Sequence, residues 1–136
     1  MILFGCQDVG PAKYLSELID SSSYFSLCIS SSLTRPYFNN AQFGTMEDIR
    51  KLKELRLVVV GTSLGDAEKS LDKRILNEAK NLNIPSVAVV EHWSWFRKRF
   101  ETSLGLTLPD YIIVNDDLAE REAIDEGLPA SRLKPL

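Results

Sequence analysis

Short apolar runs alternate with amphipathic stretches from one end of this chain to the other, and few folds accept that rhythm. Ile2 to Cys6 is the first strand candidate, closed by Gln7-Asp8-Val9-Gly10. Pro11 then suits a first helical turn, where its missing N–H has no partner to lose. Tyr14, Leu15, Leu18 and Ile19 follow at helical spacing, and Tyr24 to Ile29 reads as the second strand. Leu57 to Val60 is rich in β-branched residues, as in a strand buried on both faces. Ile84-Pro85 leads into a fourth strand, Ser86 to Val90, and Asp110 to Val114 makes a fifth.

The intervening helices have readable ends. Thr45 and Asp48 fit a capping box before Ile49, Leu52 and Leu55. Gly61 to Asp66 turns the chain into a helix, with Asp66 as its cap and Leu64, Ala67, Leu71, Ile75, Glu78 and Leu82 along one face. Ser94 to Leu104 reads as a helix that buries Trp93, Phe96 and Phe100 and leaves Arg97 and Arg99 outside. Leu118 to Glu126 is another, capped by Asp116-Asp117 and stopped by Gly127, and Ser131 to Leu136 begins a further strand. Thr34 to Thr45 stays irregular and carries Tyr37, Phe38 and Phe43, which either cover an edge of the core or form a contact surface. Strand and helix repeated about five times predict an α/β fold: a three-layer α/β/α, doubly wound, Rossmann-like parallel sheet in one domain over 1–136.

Composition excludes several classes. Sixteen Lys and Arg against nineteen Asp and Glu give a net charge of -3, unlike the basic stripe of a nucleic-acid binder. No apolar run reaches the roughly 20 residues of a membrane span, and Met1-Ile2-Leu3-Phe4 lacks the basic region of a secretory signal. Cys6 and Cys28 sit inside apolar runs, as core thiols do. A reduced, cytoplasmic chain is the expectation.

In such a sheet ligands sit outside the carboxyl ends of the strands. The segments to search are therefore 7–10, 30–32, 61–66, 91–95 and 115–117. Gly61, Thr62 and Ser63 offer backbone N–H groups and hydroxyls before a helix, either as an anion site or as a tight structural turn. Glu91 and His92, the latter the sole histidine, end the fourth strand, where they either share acid–base work or remain solvated. A single histidine among scattered carboxylates lacks metal-ligand spacing, and no cofactor is implied. No P-loop or Gly-x-Gly-x-x-Gly fingerprint is present. Asp8 is single and the third strand ends in Gly61-Thr62-Ser63, which excludes a phospho-acceptor receiver.

Taken together, seven segments resemble a known family. Phe4-Gly5-Cys6-Gln7-Asp8-Val9-Gly10-Pro11-Ala12 looks like the first strand and turn of GT-B-type sugar-nucleotide enzymes. Val58-Val59-Val60-Gly61-Thr62-Ser63 is similar to their third-strand turn. Ile84 to Trp93, with Arg97 to Phe100, is similar to their fourth strand and rim. Leu108 to Val114, Glu126 to Pro129 and Arg132-Leu133 complete a pattern that resembles the N-terminal domain of the UDP-N-acetylglucosamine 2-epimerase and glycosyltransferase superfamily.

The resemblance implies a catalytic role for Glu91 and His92, with Gly10, Gly61, Thr62, Ser63 and Arg97 lining a ligand cleft. It implies a sugar nucleotide or a glycan acceptor as ligand, and a separate nucleotide-binding GT-B half as partner. Departures narrow it: family members usually continue into a Gly-Asn-Pro turn and a second Rossmann-like domain, where this chain has Lys134-Pro135-Leu136. The epimerases carry Asp directly after the third-strand Gly, where this chain has Thr62, and the residues after Glu91 differ from theirs. Acceptor-side glycosyl transfer is thus the first expectation. The second is a non-catalytic module, such as a homodimer built on the 37–43 aromatic loop.

Overall fold

The structure, a computed structural model, describes residues 1–65 and 69–136. Its elements run β1 (Ile2–Cys6), α1 (Val9–Ser21), β2 (Ser26–Ser30), β3 (Gln42–Phe43), α2 (Met46–Lys51), β4 (Leu57–Gly61), α3 (Leu71–Asn81) and β5 (Ser86–Val90), then β6 (Glu101–Thr102), β7 (Gly105–Leu106), β8 (Tyr111–Val114), α4 (Asp117–Asp125) and β9 (Leu133–Pro135). Seven strands form one sheet in the order β3-β2-β1-β4-β5-β8-β9. Every pairing in it is parallel. This is the expected Rossmann-like α/β architecture. Its edges are the short β9, the further strand expected within 131–136, and the two-residue β3, which lies in the stretch expected to be irregular.

Period-two alternation distributes the core. Leu3, Val58, Val60, Ala88, Val90 and Ile112 face one side, together with α3, α4 and the rings of Phe96 and Phe100. Phe4, Cys6, Cys28, Val59 and Val89 face the other, where α1 contributes Ala12, Leu15 and Ile19 and the 34–41 connection contributes Phe38. Both cysteines are free and buried, and burial raises the Cys28 thiol to about 12, so neither is a ready nucleophile. Among the described residues no helix is long and apolar enough to cross a membrane.

Local expectations at β1, β4, β5 and α4 hold closely, and the capping box of α2 is present, with the Asp48 carboxylate accepting from the Thr45 N–H at 2.7 Å. Three others need correction. The helix after β4 begins only at Leu71, and its buried residues are Asp72, Lys73, Ile75, Leu76 and Ala79, so that of the expected stripe Ile75 is buried while Leu82 is exposed. The expected cap Asp66 and the expected face residue Ala67 lie outside the described residues.

The expected 94–104 helix is absent. Trp95 has φ +59, a left-handed conformation that no helix contains. After it comes one 3-10 turn, Arg97–Phe100, and the small antiparallel hairpin β6–β7, which turns through 103–104 and enters β7 at Gly105 with φ +112. Phe96 and Phe100 are buried as expected, but Trp93 is an exposed ring and Arg99 a buried cation, because helical spacing no longer applies.

Candidate functional site

Parallel pairing of β1, β4, β5 and β8 brings their carboxyl ends to one edge, so the turns after them share a rim. Contacts across that rim are specific. Gln7, after β1, accepts the Leu71 N–H on its Oε1 at 2.8 Å and so ties the start of α3 to the end of β1. The Ser31 hydroxyl, after β2, donates to the Gln7 carbonyl at 2.8 Å. Asn115, after β8, donates its side-chain amide to the Glu91 carbonyl at 2.8 Å.

The β4 turn is closed. A Cβ on Gly61 would stand 2.3 Å from Cβ of Pro11, so the glycine lets β4 pack under the first turn of α1. Thr62 and Ser63 are buried, and the Thr62 hydroxyl donates to the Val89 carbonyl at 3.2 Å. The Ser63 N–H and hydroxyl reach Asp72 at 3.2 and 2.7 Å, and the Ser70 hydroxyl bonds the same carboxylate. Asp72 has no exposed surface, and these three donors are what make its burial tolerable. Gly61, Thr62 and Ser63 are thus engaged in holding the turn itself.

The β5 turn is open. Gly10 and Glu91 meet there: a Cβ on Gly10 would lie 1.9 Å from Glu91 Oε1, so the bare glycine is the space that the carboxylate occupies. That oxygen is buried without a hydrogen-bond partner. His92 Nε2 lies 3.3 Å from it, and the two side chains are 58% and 23% exposed. Burial pushes the Glu91 carboxyl above its ordinary value, while His92 and Arg99 pull it back. Desolvation raises Asp8 as well, and Asp72 adds repulsion against the opposing pull of Arg99 and His92.

Arg99 is the residue that sequence reasoning misplaced. It is only 4% exposed, its Nε is buried without a partner, and the carboxylates it feels are Glu91, Asp8, Asp72 and Glu126. Desolvation holds its guanidinium below the ordinary value, and those four acids oppose that shift. Arg97 instead pairs with Glu101 at 3.3 Å and lies 2.9 Å from where a Cβ on Gly127 would stand. The only hint of the inward arginine was its place one residue before the buried Phe100, and no periodic pattern carries that information.

Beyond His92 the loop presents Trp93, whose indole N–H donates to Asp116 Oδ2 at 2.9 Å, and Trp95 with Lys98 Nζ 5.4 Å above its ring. Asp116 also caps α4, its Oδ1 accepting the Ala119 N–H at 2.8 Å. Among the described residues no three His, Cys, Asp or Glu side chains cluster to hold a metal ion.

The rim thus joins Gly10, Glu91 and His92, adds Asp8 and Arg99, and leaves Arg97, Gly61, Thr62 and Ser63 in other contacts. A partly buried carboxylate beside an imidazole, at a strand end, is equipped for proton transfer. No protein-family model matches the chain. No curated protein matches it either.

Proposed function

We propose that this chain is the acceptor-side half of a GT-B-type glycosyltransferase or related sugar-nucleotide enzyme, working with a separate half that holds the nucleotide. The observation that carries this reading is the Glu91 carboxylate seated on Gly10 beside His92, at the carboxyl edge of an all-parallel sheet. In transfer, an acceptor hydroxyl attacks the anomeric carbon of a sugar diphosphonucleoside. A carbon–oxygen bond forms to the acceptor, the bond to the diphosphate breaks, and the hydroxyl proton passes to the base. Glu91 fits that role best, since burial raises its affinity for a proton, and His92 is the neighbouring alternative. Arg99 offsets the negative charge gathered at Asp8, Asp72 and Glu91. In this role the chain works in the reducing cytoplasm, in keeping with the free thiols of Cys6 and Cys28.

The test is a reconstituted pair of the two halves. Glu91→Gln is expected to lower kcat by about a hundredfold or more, the usual scale of a positioned base, with little change in acceptor KM. An unchanged rate removes Glu91 from the mechanism.

A second reading has its own support. Val9, Leu33, Leu64 and Leu118 are exposed apolar side chains in the segments that follow β1, β2, β4 and β8, a distribution suited to a binding or homodimerising module. Light scattering across a concentration series distinguishes the two, since a tight dimer without sugar-nucleotide affinity favours the module. The 37–43 loop is the weaker candidate for such contacts, because Phe38 is buried and the Arg35 guanidinium covers the Phe43 ring at 4.0 Å.

A further inference from the structure

We infer that Trp93 and Trp95 form a stacking platform for the sugar rings of a neutral glycan, and that this platform does not take the nucleotide. The inference rests on the acceptor-side reading for its choice of a glycan, while the platform itself follows from the structure.

Both rings are more than half exposed, Trp93 at 52% and Trp95 at 58%. Large aromatics are normally hidden in a core, and here neither is loose. The indole N–H of Trp93 is committed to Asp116, so its single polar group is already used and what the exposed side chain still offers is apolar ring. Trp95 is held at φ +59, a conformation that a bulky residue adopts at a cost and that is found where function requires it. An indole face carries negative quadrupole charge, which the polarised C–H groups on one side of a pyranose ring complement.

The surrounding charge selects the ligand. A phosphate is ordinarily recognised by a helix N-terminus, and the helices that follow β1, β4 and β8 all start at this edge of the sheet. Each already carries acid: Asp8 stands at the start of α1, Asp72 lies in the first turn of α3, and Asp116 caps an α4 whose first turn adds Asp117 and Glu120. A diphosphate would meet a carboxylate at every one of them. A neutral polyol finds acceptors for its hydroxyls in Asp116 and Asp117, and a donor in Lys98 above the Trp95 ring. Glu91 and His92 precede the platform directly in the chain, so a stacked sugar can present a hydroxyl to the base.

These are the only two tryptophans in the chain, so indole fluorescence reads this loop and nothing else. The experiment titrates the chain with chitotriose, cellotriose and maltotriose, and separately with UDP, while recording emission and acrylamide quenching. At least one trisaccharide is expected to shift the emission to the blue, saturably, and to protect the indoles, whereas UDP leaves them unchanged. Trp95→Ala is expected to weaken that binding by about tenfold or more, and Trp93→Phe, which keeps a ring, by less. Silence with all three sugars overturns the inference, as does a response to UDP alone or a blue shift produced merely by raising protein concentration. Sugar binding without transfer in the reconstituted pair leaves the platform standing and removes the transferase reading instead.

Discussion

The turns after β4 and β5 begin alike and end differently. Each follows a buried valine run at neighbouring positions in the sheet, and each carries residues of the type that chemistry uses. The β4 turn satisfies its polar groups internally: Ser63 and Ser70 bind Asp72, Thr62 binds the β5 backbone, and Gly61 admits Pro11. The β5 turn leaves Glu91 Oε1 buried without a hydrogen bond and with only His92 Nε2 near it at 3.3 Å, faces a buried arginine whose Nε also lacks a hydrogen bond, and holds one tryptophan in a left-handed conformation. Polar residues that are fully bonded stabilise a fold, whereas those left unsatisfied and strained at a strand end mark a site. The contrast is why the proposed function is placed on the β5 turn and not on the β4 turn.

The largest way to break the contrast is Asp72→Ala. It strands the Ser63 N–H in the interior and leaves the Ser63 and Ser70 hydroxyls with only each other, so a loss of about 3 kcal/mol is expected, or a fall in Tm of about 10 °C. Urea unfolding with an unchanged slope checks it. A loss under about 1 kcal/mol would mean that the β4 turn does not depend on this carboxylate.

Next come the two glycines. Gly61→Ala drives a methyl into the Pro11 ring, which is anchored in α1, and about 2 kcal/mol of destabilisation is expected. Gly10→Ala meets only the tip of the Glu91 side chain, which can swing away, so about 1 kcal/mol or less is expected with a marked loss of any transfer activity. Equal thermal shifts in the two variants would erase the distinction between a packed turn and an open one.

Acid–base behaviour sharpens it further. A carboxyl whose folded-state value exceeds its unfolded one keeps its proton longer in the folded chain. The folded state therefore loses stability as pH rises from the ordinary glutamate value of 4.5 through the elevated folded value. Asp8, raised from 3.8, adds to the same slope. Glu91→Gln is expected to flatten the Tm–pH profile over that window and to match or exceed wild-type stability at neutral pH. A steeper profile in the variant would contradict the burial of this group.

The smallest effect concerns Trp95. Replacement by glycine removes the left-handed penalty, and a gain of about 1 kcal/mol is expected by chemical denaturation. A clear loss would show that the ring contributes packing despite its exposure.

Much of this architecture was legible beforehand because it depends on short-range pattern. Strands such as Ile2–Cys6 and Ser86–Val90, the Asp48 box and the stop at Gly127 are set by periodicity, capping and turn chemistry acting within a few residues. The edge strands β3 and β9 were weaker signals because each is only two or three residues long. What could not be read was tertiary. Phe96 and Phe100 at i and i+4 suggest a helix, yet the left-handed Trp95 and the β6–β7 hairpin bury the same two rings without one. Glu91 and Gly10 were both singled out, but their contact joins residues 81 positions apart, and the acids around the buried Arg99 come from four separate stretches of the chain.

Amide chemical-shift mapping of the isotope-labelled chain, titrated with UDP, GDP, their sugars and free trisaccharides, tests the division of labour most directly. The expected perturbations fall on 8–10, 91–99 and 115–118, with the amides of Thr62 and Ser63 still. Perturbations centred on 61–65, or on the hollow of about 420 Å³ between α3 and the β6–β7 hairpin, with Glu91 and His92 silent, would contradict it.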